Sequence, residues 1–153
     1  FGQEREWSEA RELDWFLLGE DLNKGMQAYV KELLAIYHKY PCMYQIDNSW
    51  EGFEWVKADD ADESTYAFIR KCPQSKQKLL FVMNMTPVER KGYRVGVPLK
   101  KKYKLLLNSD EIRFGGNGGV IPETITAEKE PWDYRDYSIS FDLPPYASAV
   151  FVF

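Results

Sequence analysis

At 153 residues, with 44% apolar and 16% aromatic side chains, the chain holds enough apolar surface to fold around its own core, which excludes a disordered segment. A net charge of −4 excludes the basic stripe that a nucleic-acid partner requires. One histidine and two cysteines, Cys42 and Cys72, with no CxxC spacing exclude a clustered metal site and a dithiol redox motif, and no apolar run approaches the ~18 residues of a membrane span.

The chain opens on "FGQEREW", Phe1–Trp7, with neither an initiator methionine nor a basic-then-apolar leader. "RELDWFLL", Arg11–Leu18, is a short apolar stretch, read as a helical turn or a loop lid. From Leu22 to Tyr40 apolar side chains recur in steps of three and four, at Leu22, Met26, Tyr29, Val30, Leu33, Leu34, Ile36, Tyr37 and Tyr40, which predicts an amphipathic helix. Asp21 is the expected N-cap, His38 lies in the last turn where a cation suits the dipole, and Pro41 biases Tyr40 out of helical geometry.

Beyond Gly52 the period changes to two. "FEWVK", "STYAFIRKC", "KLLFVMN", "YRVGV", "KYKLLLN", "YSISFDL" and "ASAVFVF" are short runs rich in β-branched and aromatic residues, broken by Pro73, Pro87, Pro98, the glycines 115, 116, 118 and 119, and the pair Pro144 and Pro145. About seven turn-bounded strands predict an antiparallel β-sandwich. Lys100, Lys101, Lys102 and Lys104 read as a solvated strand start, since lysines discourage edge pairing. The glycine cluster lacks the Lys-Ser or Lys-Thr of a phosphate loop and reads as a turn. Cys42 and Cys72 read as free thiols of a reducing compartment. One long helix beside a sandwich is unbalanced, and the first third reads as the tail of a larger α/β domain.

The blocks "FGQEREW", "LDWFLL", "GFEWVKADD", "NMTPVERKGYRVGVP", "LLLNSDEIRFGGNGG" and "YSISFDLPPYASAVFVF" together resemble the C-terminal stretch of bacterial-type 1,4-α-glucan (glycogen) branching enzymes of the α-amylase superfamily. The resemblance runs over the whole chain. It departs at Met85, where the family commonly has Phe, at Glu32-Leu33-Leu34, where it often has Asp-Leu-Asn, and at Tyr146, where Leu is common. These exchanges read as core or helix-face changes of similar bulk.

The resemblance implies a mainly β fold, a C-terminal antiparallel sandwich preceded by the loop and last helix of a truncated (β/α)8 barrel. Residues 1–62 are then the barrel's tail and residues 63–153 the all-β domain. It implies a cytoplasmic parent enzyme that transfers α-1,4-glucan segments to α-1,6 branches by a retaining mechanism, without cofactor or metal. Such transfer needs a carboxylate nucleophile and a carboxylic acid about 5 to 5.5 Å apart. In the family both lie on earlier barrel strands, so no catalytic residue is expected here and the chain by itself is expected to be inactive. Glu4, Glu6, Asp59, Asp60 and Asp62 read as loop or solvated-turn carboxylates.

What remains is contact with α-glucan, because an aromatic face covers the apolar side of a sugar ring while polar neighbours take its hydroxyls. Trp55 is the first candidate, with Glu54 and Lys57 as polar partners. Trp7 and Gln3 are placed by the resemblance at the barrel rim, and Trp50, Trp132, Arg113 and Asn117 rank lower. Trp55 also reads as a core tryptophan at a domain junction, and Trp7 as packing against "LDW". The other partners implied are the barrel of the parent chain and, through the stripe Leu22, Met26, Tyr29, Val30, Leu33 and Tyr37, another copy of the chain or the sandwich itself. A stand-alone carbohydrate-binding module and a purely structural sandwich are the rival readings.

Overall fold

The computed structural model describes residues 2–4 and 8–153. Helix α1 spans Asp21–Lys39, one residue short of the predicted end on the Tyr40 side. Asp21 is its first helical residue and not its cap; Glu20, in extended geometry, precedes it. The carboxylate of Asp21 still lies at the positive end of the dipole, with His38 and Lys39 at the negative end. "RELDWFLL" closes into a 3₁₀ turn at Trp15–Gly19.

Eight strands follow among the described residues: β1 Phe53–Asp60, β2 Thr65–Arg70, β3 Leu79–Asn84, β4 Arg90–Val97, β5 Lys102–Asn108, β6 Thr124–Thr126, β7 Tyr137–Leu143 and β8 Ser148–Val152. Six form one sheet in the order β1-β2-β3-β8-β5-β6, and β4 pairs with β7 in a second. Every pairing is antiparallel. The seven patterned runs are strands, and the chain is mainly β with one N-terminal helix, as read from the sequence. β6 was not predicted, since its three residues are too few to show a period; it pairs with Lys102–Lys104 on the edge. The six-stranded sheet begins at Phe53, ten residues ahead of residue 63.

The sandwich core lies between the two sheets and includes Ile69, Leu80, Val82, Val95, Tyr103, Ile139, Phe141 and Phe151. Because side chains alternate along a strand, Leu79 and Val150 point to the other face of the large sheet, where with Leu107 they meet Ile36, Tyr40 and Phe114. The large sheet is therefore covered on both faces at its centre, which explains why β3 reads as a nearly continuous apolar run. Burial pushes the Tyr103 phenol up to about 12, although its hydroxyl donates to Leu99 O at 3.0 Å.

The expected apolar stripe on α1 divides. Tyr29 and Leu33 turn to the sandwich, Tyr29 meeting Phe114 edge to face at 5.5 Å. Gly25 permits this approach, as a Cβ there would stand 2.8 Å from the Phe114 carbonyl carbon. Leu22, Met26, Val30 and Tyr37 stay exposed together with Leu34. With Leu13 and Trp15 the exposed side forms an apolar groove of about 590 Å³. Contiguous exposed apolar side chains of this kind form a surface suited to packing against a partner.

Two sequence blocks that carry the resemblance are structural clasps. In "NMTP" the buried Asn84 amide donates to Val88 O at 2.8 Å and Pro144 O at 3.0 Å, and its oxygen accepts from Thr86 N and Oγ1 at 3.0 and 2.8 Å. In "NSDEIRFGGNGG" the buried Asp110 carboxylate accepts from the backbone N–H of Asn117 and Gly119, each at 2.8 Å, which closes the loop upon itself. Gly116 is required there, because a Cβ would stand 2.3 Å from the Asp110 carbonyl. The glycine cluster is a turn, as its sequence indicates. Met85, Leu34 and Tyr146, by contrast, are exposed, so the departures at these positions are surface exchanges and not core ones.

Candidate functional site

Trp55 stands on β1 with half of its surface in solvent (52%). Register places Trp55 opposite Phe68 on β2, and Phe68 opposite Phe81 on β3. These rings form a row: Phe68 and Phe81 stack at 4.7 Å, Phe53 and Phe68 stack at 5.0 Å, and Trp55 meets Phe53 and Phe68 edge to face at 4.9 and 5.9 Å. Aromatic pairs at these separations stabilise by ~1 kcal/mol each beyond burial. The row supports the indole while about half of Trp55 stays in solvent, where an apolar ligand ring can reach it.

The expected polar partners of Trp55 are otherwise engaged. Glu54 faces away from the indole and takes Lys71 Nζ at 2.7 Å and the Arg135 guanidinium. Burial pushes the Glu54 carboxyl up, but those two cations outweigh it and hold the group below its ordinary range. A register shift between Trp55 and Lys57 re-aims Lys57. Its ammonium sits 2.8 Å from Asp60 and 5.5 Å from the centre of the Tyr93 ring. Burial lowers the Lys57 pKa while Asp60 and Tyr93 raise it, with a net rise. Asp60, half-buried and bonded to Lys57 and Thr65, is thus a structural carboxylate and not a solvated one.

Gln3 accepts from the backbone N–H of Asp14 at 3.4 Å, which places it with the segment ahead of α1 and not with the aromatic row of β1–β3. Trp7 lies outside the described residues. Trp50 is 81% exposed on a 3₁₀ turn before β1. Arg113 is held by Glu111 at 2.7 Å and lies over the Phe114 ring, and the Asn117 backbone N–H donates to Asp110, so both belong to the Asp110 loop and stand apart from the aromatic row of Trp55. The two cysteines are buried free thiols, and burial is the main cause that pushes Cys42 up to about 11, a poor nucleophile. Among the described residues no group of His, Cys, Asp or Glu side chains is arranged to hold a metal. No helix there is long and apolar enough to cross a membrane.

Sequence reasoning missed Phe53, Phe68 and Phe81 as the support of Trp55. Their signal was the alternation in "TYAFIR" and "LLFVMN", which puts Phe68 and Phe81 on one face once the register is known. Register is a tertiary property.

Residues 55–153 match the family described as "Alpha amylase, C-terminal all-beta domain". The chain belongs to this family. Over its full length this α-amylase C-terminal domain chain is 58% identical to the 1,4-alpha-glucan branching enzyme GlgB of Butyrivibrio fibrisolvens, of which it spans 24%. Over 98% of its length it is 39% identical to the GlgB of Geobacillus stearothermophilus, again spanning 24%, and over 97% it is 43% identical to that of Rubrobacter xylanophilus, spanning 20%. The chain thus corresponds to the C-terminal portion of these relatives, about a quarter of their length. In fold alone it is also similar to the trehalulose synthase MutB, with a TM-score of 0.55 at 14% identity over 88% of this chain and 19% of that one. For an α-amylase C-terminal domain the family match begins at Trp55, inside β1, so the candidate residue belongs to the β-domain's first strand.

Proposed function

We propose that the chain is the closing segment and C-terminal β-domain of a cytoplasmic glycogen branching enzyme, that α1 joins it to the catalytic barrel, and that Trp55 contacts α-glucan. The observation that carries this reading is the exposed Trp55 indole on a rigid aromatic row, in a chain matched end to end by 1,4-alpha-glucan branching enzymes. The boundary between barrel tail and β-domain is best drawn at Gly52, where the sheet begins. The transfer chemistry belongs to the part of the relatives that these residues do not span. Here Glu54, Asp60 and Asp110 are occupied by structural partners and are not posed as the facing carboxyl pair of a retaining transfer.

The exposed side of α1 supports the bracing role, since Leu22, Met26, Val30 and Leu34 form a surface fit for barrel packing. In the absence of a barrel it is expected to pair with a second copy, as a shared patch readily makes a two-fold contact. Light scattering of the 153-residue chain should show a mass that rises with concentration and returns to that of a monomer in Leu34→Lys. A monomer at every concentration would remove the surface from the argument.

Glucan contact is tested by titrating maltoheptaose while recording tryptophan indole N–H signals. The Trp55 signal is expected to move with a millimolar midpoint, since one stacked ring contributes on the order of 1 kcal/mol beyond burial. Trp55→Ala, at a half-exposed position, should fold and lose that response. A silent Trp55 in the presence of shifts elsewhere would return it to a packing role.

A further inference from the structure

A second groove, of about 570 Å³, lies on the β4 side of the sandwich and is walled by Trp132, 45% exposed. Its other lining includes Lys57, Arg90, Arg94 and Glu130. The groove is built and not incidental, as the turn that carries Trp132 shows. Trp132 and Arg135 exchange backbone hydrogen bonds at 3.0 and 2.9 Å, and between them Asp133 and Tyr134 both have positive φ, 48° and 58°. This is the geometry of a type I′ turn, which favours Asn-Gly and is strained for Asp-Tyr, so it persists only where its surroundings impose it. Here they do. The Gly96 N–H donates to Asp133 Oδ2 at 2.8 Å, and a Cβ on Gly96 would stand 2.1 Å from Trp132 O, so only glycine lets the turn lie against β4. From the far side the Arg135 guanidinium ties the turn to Glu54 and to Trp55 O. A strained turn held from β4 and from β1 keeps the backbone of an exposed Trp132 in place.

The groove's charges select the chemistry of its ligand. Arg94 is fixed by Glu128 at 2.9 Å, Glu130 at 3.2 Å and Ser138 Oγ at 2.8 Å, and Lys57 by Asp60. The charges of Arg94 and Lys57 are thus offset by fixed carboxylates and contribute little net field. The same pairs expose donors and acceptors side by side, the pattern that vicinal hydroxyls satisfy. Arg90 adds a buried Nε without a hydrogen-bond partner while its Nη2 donates to Glu63 O at 2.9 Å. An indole wall beside paired donors and acceptors fits a neutral ring with one apolar face and a hydroxylated rim.

We propose that this groove is a second contact for a neutral α-glucan, with Trp132 stacked on a glucose ring and the Arg94–Glu130 pair taking its hydroxyls. The assignment rests on the reading that the chain meets glucan, and it is separate from Trp55. In a maltoheptaose titration of the 153-residue chain, the Trp132 indole and the amides of Gly92 and Arg94 are expected to shift together. Trp132→Ala should weaken the response of those amides roughly five-fold, the loss that one ring's stacking represents, and leave the Trp55 response intact. Glu130→Gln, at an exposed carboxylate, should weaken the same amide response without touching the turn. In Trp55→Ala the Trp132 group should respond as before. A Trp132 that stays silent while Trp55 moves overturns this inference and leaves the proposed function standing; silence at both overturns both. Equal shifts of the Trp132 group with sodium phosphate would also overturn it, since the groove would then be an anion site.

Discussion

Asn84→Ala is expected to destabilise the domain by about 3 kcal/mol, a large part of the 5–15 kcal/mol that holds a fold of this size. The Asn84 side chain is 1% exposed and makes four hydrogen bonds that tie β3 to the Thr86–Val88 turn and to Pro144 at the end of β7. Alanine leaves two carbonyls and two donors without partners, and each buried polar group so stranded costs ~1–3 kcal/mol, less where water reaches it from the Val88 side. With a urea slope of about 2 kcal/mol/M the midpoint should fall by roughly 1.5 M. A fall equivalent to less than ~1 kcal/mol would show that the clasp is dispensable. Asn84→Asp sharpens the test, because it keeps the acceptor and replaces the donor by an oxygen aimed at Val88 O and Pro144 O. Those two carbonyls disfavour the charged form, so the new carboxyl's folded pKa should rise above its unfolded value of about 3.9. The sign follows: the variant should be least destabilised below that value, where the protonated acid donates one bond, and should lose stability as pH climbs through the raised folded pKa.

Gly52→Ala should have an effect of similar size, about 3 kcal/mol, by a different route. Gly52 is buried directly ahead of β1, and a Cβ there would stand 1.9 Å from the carbonyl oxygen of Ile46, a backbone atom that has no rotamer to give. That carbonyl is also gripped by Arg70, whose Nη2 donates to Ile46 O at 3.3 Å and Met43 O at 3.1 Å, and whose Nε donates to Cys42 O at 3.3 Å. Arg70 thereby clamps the segment after α1 onto β2. Displacing Ile46 loosens the joint between the helix and the sheet. Hydrogen exchange should show protection lost first across residues 21–52 while β3 and β8 keep theirs. Uniform loss, or none, would mean that the joint is not a separate unit. Gly92→Ala is the control: it meets nothing within 4 Å and carries only the strain of a positive φ of 59°, ~1 kcal/mol.

The elements of this protein were legible in its sequence because each is written locally. The three- and four-residue steps from Leu22 to Tyr40 specify a helix, and Pro41 its end. The two-residue alternation of seven runs specifies strands, and the glycines of residues 115–119 specify a turn. Local rules cannot say which strand lies beside which. The pairing of β3 with β8 and of β8 with β5 joins segments far apart in the chain, and the registers of β1 on β2 and of β2 on β3 decide that Trp55, Phe68 and Phe81 share a face. Tertiary packing also decides which side of α1 is covered: Ile36 is buried and Tyr29 partly so, while Met26 and Val30 are exposed, although all four lie on one broad apolar arc. Trp132 was visible as a loop tryptophan, but nothing local separates it from Trp50. What distinguishes the two is the absence of a side chain at Gly96, 36 residues earlier, which lets the Trp132 turn settle against β4 and be held there.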